Sequence, residues 1–197
     1  MKNFIIILIV AVCFLQLTAQ TQTASATVIN FKKLQGFLPA TAPEGFLRQK
    51  PKGQTASSGG ISSSTASVEF IAQKKIKELQ TMDDGKQDSV DTEITLTATI
   101  EIADYAGLGE GMSATLQAMV GMEFENETEE GYEKSTTFKE YKGIEKVSSL
   151  DNSHSCSIQL VVGNRFLVNT TGSNFSDITI LHSLLNAMDL KKLEEVK

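Results

Sequence analysis

A chain of 197 residues with 18 basic and 24 acidic side chains carries a net charge of −6 and shows no basic stripe interleaved with aromatics, which argues against a nucleic-acid partner. Hydrophobic residues make up 41% of it, enough for one packed domain, and its two cysteines leave no scope for a disulfide framework.

Lys2, an apolar run from Phe4 to about Leu15, and then Leu17-Thr18-Ala19 read as a secretory signal peptide over residues 1–19. The run falls short of the roughly 20 residues of a membrane helix, so no membrane span is expected after its removal. Cys13 raises a lipoprotein reading, but Val12 precedes it where such a site takes Gly, Ala or Ser. Cleavage after Ala19 removes Cys13 and leaves Cys156 as the one thiol of a single α+β domain over residues 20–197.

Val28, Phe31, Leu34 and Leu38 recur at helical steps, giving a short amphipathic helix stopped by Gly36 and Pro39. Residues 39–66 hold all three prolines, a Gly-Gly pair and a serine cluster, and read as a Pro/Gly/Ser-rich loop region with GFLRQK as one short strand inside it. In residues 68–80, Val68, Phe70 and Ala72 alternate as in a strand, while Ile71, Lys75, Ile76 and Leu79 fit a helix equally well. A polar turn, MDDGKQDSVD, follows.

Residues 93–105 alternate strictly. Ile94, Leu96, Ala98, Ile100 and Ile102 point one way, and Thr95, Thr97, Thr99 and Glu101 the other. That is a strand with one face on a core and one in water, the habit of antiparallel sheets. Met112, Leu116, Met119 and Val120 then share a helical face, FENETEEGYEKS is an acidic loop, and STTFKEY, KGIEKVSSL, SCSIQLVV and RFLVNTT are consecutive short strands. A last helix spans about residues 176–190 on the stripe of Ile178, Leu181, Leu184, Leu185 and Met188, with Asp177 in its first turn. The sum is an antiparallel meander of four or more strands with helices packed on one face.

Four features bear on chemistry. GLGEGM, residues 107–112, joins strand to helix, but Met112 stands where a dinucleotide loop needs its last glycine, and no Gly-Lys-Ser/Thr follows for a phosphate loop. The acids Glu123, Glu125, Glu127, Glu129, Glu130 and Glu133, and the group Asp83, Asp84, Asp88 and Asp91, lack the spacing of a calcium loop. Asp104 and Glu110 would have to flank a cleft to act as acid and base. Two histidines, His154 and His182, are too few for a zinc site. No metal or cofactor is expected, and no catalytic residue is assigned.

The remaining question is Cys156, two residues after His154. In SCSIQLVV the thiol shares strand parity with Ile158, Leu160 and Val162, which places it on the apolar face, where burial suppresses the thiolate. A three-residue loop of Val162, Gly163 and Asn164 would pair Leu160 with Phe166 and Ile158 with Val168, setting Cys156 opposite about Thr170; a two-residue Gly-Asn turn would instead oppose Leu160 to Leu167.

Leu38-Pro39 with Gly45, the alternating strand ending at Asp104, GNRFLV at 163–168 and the closing Met188-Asp189-Leu190 with Leu193 together resemble a group of small uncharacterised secreted bacterial proteins. The signal ending in Ala-Gln is similar to those of Gram-negative exported proteins. This resemblance implies a periplasmic or secreted location and a fold, and carries no functional residue across. Asp88-Ser89-Val90 also resembles the acceptor site of bacterial O-glycosylation.

Two functions are carried forward. One is an exported, non-enzymatic protein that binds an apolar small molecule or a protein partner, with Met112, Met119 and Met122 as adaptable contacts. The other is a hydrolase using acidic residues or the Cys156 thiol. Export is checked by intact mass: envelope protein should begin at Gln20, and full-length chain in the cytoplasm would remove the signal peptide from the account.

Overall fold

Alternation at a period of two, repeated along most of the chain, builds nine strands of one antiparallel sheet. The computed structural model describes residues 27–81, 87–108, 110–150 and 153–196; the expected signal peptide at residues 1–19 lies outside them. The strands are β1 (Leu47–Arg48), β2 (Lys52–Ser58), β3 (Ile61–Thr81), β4 (Gln87–Asp104), β5 (Glu125–Thr128), β6 (Gly131–Phe138), β7 (Tyr141–Leu150), β8 (Ser153–Val162) and β9 (Phe166–Ser173). Their order is β1-β3-β4-β9-β8-β7-β6-β5, with β2 sharing the outer edge of β3. The helices are α1 (Phe31–Gln35), α2 (Glu110–Gly121), α3 (Ile178–Asn186) and α4 (Leu190–Glu194).

The core lies on the face expected from the best alternating segment. Ala98, Ile100 and Ile102 of β4 are sealed from solvent, beside Val68 and Phe70 of β3, Phe166 and Val168 of β9, and Ile158 and Leu160 of β8. Leu34 of α1, Leu181, Leu184 and Leu185 of α3, and Leu190 and Leu193 of α4 close over them. Ile94 and Leu96, expected to be as deep, are only partly buried, because they lie where β4 runs out beyond its neighbours.

Helices do not keep to one face. The expectation of a single covered side fails at α2, whose Leu116 and Val120 rest on Val161 and Leu167. Those two have the opposite parity from Leu160, Val162, Phe166 and Val168, so they face the other side of the sheet. An apolar pair on an otherwise polar face needs cover, and α2 supplies it.

The Pro/Gly/Ser-rich stretch is a loop only in its first part. Its second half is a hairpin, Lys52 opposite Ser67 through Ser58 opposite Ile61. Gly59 and Gly60 turn it with φ of 60° and 81°, the left-handed pair that a tight two-residue hairpin demands. Its hydroxyls satisfy one another across the strands, Thr55 with Ser64 at 2.8 Å and Ser57 with Ser62 at 2.7 Å. The strand-or-helix ambiguity of residues 68–80 resolves to strand, since β3 runs unbroken from Ile61 to Thr81. The acidic segment is a hairpin of β5 and β6, with Thr128 opposite Gly131.

The β8–β9 register differs from both expected ones. Its loop is Gly163, Asn164 and Arg165, which pairs Val162 with Phe166, Leu160 with Val168 and Cys156 with Gly172. Gly163 and Asn164 take φ of 58° and 54°, so the left-handed pair sits one residue further along the chain than a loop starting at Val162 allows. The final helix breaks in two, because Asp177 caps α3 through the Thr179 N–H and Asp189 caps a fresh turn through the Lys192 N–H, both at 3.0 Å.

The two faces of β4 should differ sharply in tolerance. Ile100→Asp places an unpaired charge in a core sealed from solvent, a cost of several kcal/mol, and should unfold the domain. Thr97→Asp, on the half-exposed face, should leave the circular-dichroism melt close to wild type; equal tolerance would contradict the assigned core.

Candidate functional site

The cysteine question is settled by geometry. Cys156 is 3% exposed and lies opposite Gly172, where an added side-chain carbon would collide with its Sγ and with the Phe175 ring. Burial pushes the thiol up to about 12, with the carboxylates of Asp177 and Glu145 adding to the shift and a backbone hydrogen bond with Gly172 opposing it. His154, expected near the frayed strand end, is exposed there, and its Nδ1 lies 3.1 Å from Ser149 Oγ on β7. The second histidine is engaged elsewhere, by Glu145.

Glu145 is the group that strand patterning did not single out. It sits on the core face of β7 between Lys134 and Ile158, and its side chain is 7% exposed. The Tyr132 hydroxyl donates to its Oε1 at 2.6 Å, Lys134 Nζ stands 3.8 Å from the same oxygen, and His182 Nε2 of α3 lies 3.1 Å from Oε2. Burial and the hydrogen bond to Glu145 raise the Tyr132 hydroxyl pKa. His182 also stacks on Phe138, centroids 5.7 Å apart. Both carboxylate oxygens therefore have partners, and the cluster pins α3 to β6 and β7. As chemistry it offers a saturated carboxylate rather than a free base, and its histidine faces a carboxylate rather than a thiol.

Asp104, weighed as one acid of a cleft pair, is fully buried and bound by four hydrogen bonds. Arg165 grips it through Nε at 2.9 Å and Nη2 at 2.8 Å, and the backbone N–H groups of Ile29 and Ala106 reach it at 2.7 and 3.0 Å. The side chain of Glu110, its supposed partner, lies outside the described residues, as do those of Met112, Asp83, Asp84 and Asp88. Of the glycine loop, Gly107 is described. It packs so closely on Ser62 of β3 that a methyl group there would strike the Ser62 carbonyl, a structural reason for glycine. Glu123, Glu125, Glu127, Glu129 and Glu130 are exposed, and Glu133 pairs with Lys146 at 3.6 Å. Among the described residues, no three His, Cys, Asp or Glu side chains are placed to hold a metal.

An open cleft of about 440 Å³ lies between α2, the β8–β9 turn and α4, walled by Gln117, Glu140, Lys142, Asn164 and Glu194, with Tyr141 donating to Glu194 at 3.0 Å. Its lining is mainly polar, unlike the apolar wall that a lipid-like ligand requires.

Among the described residues, one part of the sheet extends beyond its neighbouring strands. β3 and β4 stay paired from Ser64 opposite Asp104 to Thr81 opposite Gln87, but β9 accompanies β4 only over residues 97–104, β2 leaves β3 at Ser67 and β1 leaves it at Ile71. Residues 72–81 and 87–96 thus form a two-stranded ribbon, roughly 30 Å long at the usual rise per residue. One of its faces carries Ala72, Ile76, Val90, Ile94 and Leu96, interrupted by Lys74 opposite Ile94 and Thr92 opposite Ile76; Val90 is 36% exposed. The other sets Lys75 opposite Glu93 and Lys77 opposite Asp91, cross-strand pairs suited to water.

Alkylation tests the thiol. At neutral pH the native protein should react with a small alkylating reagent far more slowly than the denatured chain, because a thiol raised to about 12 is almost wholly protonated there. Fast native labelling that is lost in His154→Ala would restore the catalytic reading. No protein-family model, no curated protein and no solved structure matches this chain.

Proposed function

We propose that the protein is an exported, non-enzymatic binding module, periplasmic or secreted, whose partner is another protein seated on the β3–β4 ribbon. The observation that carries this reading is the apolar row of the ribbon. An isolated two-stranded ribbon is marginal in water, and apolar side chains along one face gain stability when a partner removes them from solvent. The charged pairs on the reverse face favour solvent there, whereas the face of Ile76 and Ile94 is the more apolar of the two and holds Lys74 as a charge that a protein partner can pair. Among the described residues no strand pairs with the outer edges of residues 72–81 and 87–94, which leaves main-chain donors and acceptors that a partner strand could use; the Thr95 carbonyl is taken by the Asn174 side chain.

An apolar small molecule is the less favoured ligand, given the polar lining of the described clefts. A hydrolase is less favoured still, because Cys156 is buried and protonated and Glu145 is saturated with partners.

A photo-crosslinking residue at Ile94, in protein made by its own cells, should capture a discrete protein band. The same residue at Thr97 on the other face should capture little. Ile76→Lys with Ile94→Lys should abolish the pull-down while changing the melting temperature by only a few degrees, since neither residue is fully buried. Equal capture from both faces, or none, would overturn the ribbon as the docking element.

A further inference from the structure

The sheet ends in two open edges of opposite charge. At one, among the described residues, β5 pairs with β6 alone, and all four of its residues are exposed, Glu125 and Glu127 among them. At the other, the free part of β3 carries Lys74, Lys75 and Lys77, also exposed. Among the described residues, none of Lys75, Lys77, Glu125 and Glu127 holds an ion pair. We propose that these edges meet between two copies of this chain: β5 of one copy adds as a strand to β3 of the next, over residues 74–77, and continues the sheet. The contact uses an edge and leaves the apolar face of Ile76 and Ile94 open, so it goes beyond the docking of a protein on that face and stands independently of it.

Four features of the two strands agree on one register. The first is spacing: laid antiparallel, Glu125 comes opposite Lys77 as Glu127 comes opposite Lys75. Each lysine already faces an acid of its own ribbon, Asp91 or Glu93, and gains a second acid on its free side. The second is the main chain. The Glu69 carbonyl accepts from the Gln49 N–H beside β1, so odd-numbered residues of β3 turn their backbone groups to the outer edge. The Phe124 carbonyl accepts from the Ser135 N–H of β6, which leaves Glu125 and Glu127 as the outward-turned residues of β5. The same register therefore makes both charged pairs hydrogen-bonded backbone pairs. The third is facing. β5 runs parallel to β3 within one molecule, six antiparallel steps away, so an antiparallel mate is turned over. Glu125 and Glu127 lie on the core face with Lys134 and Glu145, and turning brings them to the side of Lys75 and Lys77. The fourth is room. Followed strand by strand, the pairings set Thr128 level with Ile71, at the end from which the ribbon springs. A copy turned over and joined at residues 74–77 extends away from β1 and β2, which flank β3 no further than Ile71.

The acids on the outer edge of β4, Asp91 and Glu93, are a poorer match. A second ribbon laid antiparallel on β3 by that edge brings both bodies to the same end, where β1 and β2 of one copy meet the β9–β5 part of the other. The contact of β5 with β3 joins unlike surfaces, so a pair of copies still exposes one edge of each kind and the assembly grows as an open row.

Light scattering on protein purified from its own cells tests this. The mean mass should exceed one chain, rise with concentration, and fall back to one chain in about 1 M salt, where exposed charges are screened within about 3 Å. Glu125→Lys with Glu127→Lys leaves two basic edges, and Lys75→Glu with Lys77→Glu leaves two acidic ones. Each variant alone should stay at one chain, and an equal mixture of the two should regain the wild-type mass. Because the reversal on β3 also disturbs its pairing with Asp91 and Glu93, a zero-length carbodiimide crosslink gives a readout on the unaltered chain. Amide bonds from Lys75 or Lys77 to Glu125 or Glu127 should join isotope-labelled to unlabelled copies. A single-chain mass at every concentration, assemblies that survive both reversals, or links between copies confined to other residues would each overturn the edge contact. None of these results touches the capture of a protein at Ile94, which is read by itself.

Discussion

The buried ion pair of Asp104 and Arg165 ties together the parts of the chain that the sheet alone would leave loose. Asp104 ends β4, and Arg165 sits in the turn between β8 and β9. The two-pronged grip fixes that turn against the end of a strand sixty-one positions earlier. The carboxylate also takes the Ile29 N–H, and Arg165 donates to the Thr27 carbonyl at 3.0 Å, so the segment leading into α1 is held at the same point. That segment delivers Ile29 and Leu34 to the core. Charge-assisted bonds to a buried carboxylate are among the stronger ones in proteins, and loss of one partner from such a pair costs about 3–5 kcal/mol because the other charge stays behind. Arg165 keeps one face on the Phe166 ring, which limits its exposure without removing its charge from water altogether.

Much of this was legible in the chain, for a definite reason. Where alternation is strict, parity decides which side chains enter the core, and residues 98–102 and 156–162 obey it. Cys156 could be placed as a packed thiol by parity alone, although the register that puts Gly172 opposite it required the turn geometry. The hairpin at Gly59-Gly60 was less visible, because serine and threonine read as loop formers until their hydroxyls are seen bonded across strands. Glu145 was hidden for a related reason. KGIEKVSSL alternates in two senses, with Ile144 on one face and Val147 on the other, and only His182, thirty-seven residues later, shows that the carboxylate points inward.

The ribbon could not be read from sequence at all. Ile94 and Ile100 look alike in an alternating strand, and the difference between them is whether β9 lies alongside. Alternation reports which face is apolar; it does not report how many neighbours cover it. Asp104 was legible as an acid at a strand end, yet its meaning depends on Arg165 arriving from a distant turn. Both misses are failures of tertiary pairing, where local patterns carry no information.

The strand order has a further consequence, for the path by which the chain folds. Every pairing but two joins consecutive strands, and one of the two, β1 with β3, is still local: β1 to β4 form one local stack and β5 to β9 another. The one long-range pairing is β4 with β9, where Ile102 meets Val168 across the whole of α2 and the β5–β8 meander. Hairpins close quickly and contacts between distant segments slowly, so the two stacks are set to form first and to wait for one seam. Asp104 and Arg165 lie at the end of that seam, where Asp104 itself pairs with Phe166. A structure so assembled has its kinetic bottleneck and its buried ion pair at one locus, and a chain stalled before that step would show the unpaired inner edges of both stacks to its surroundings.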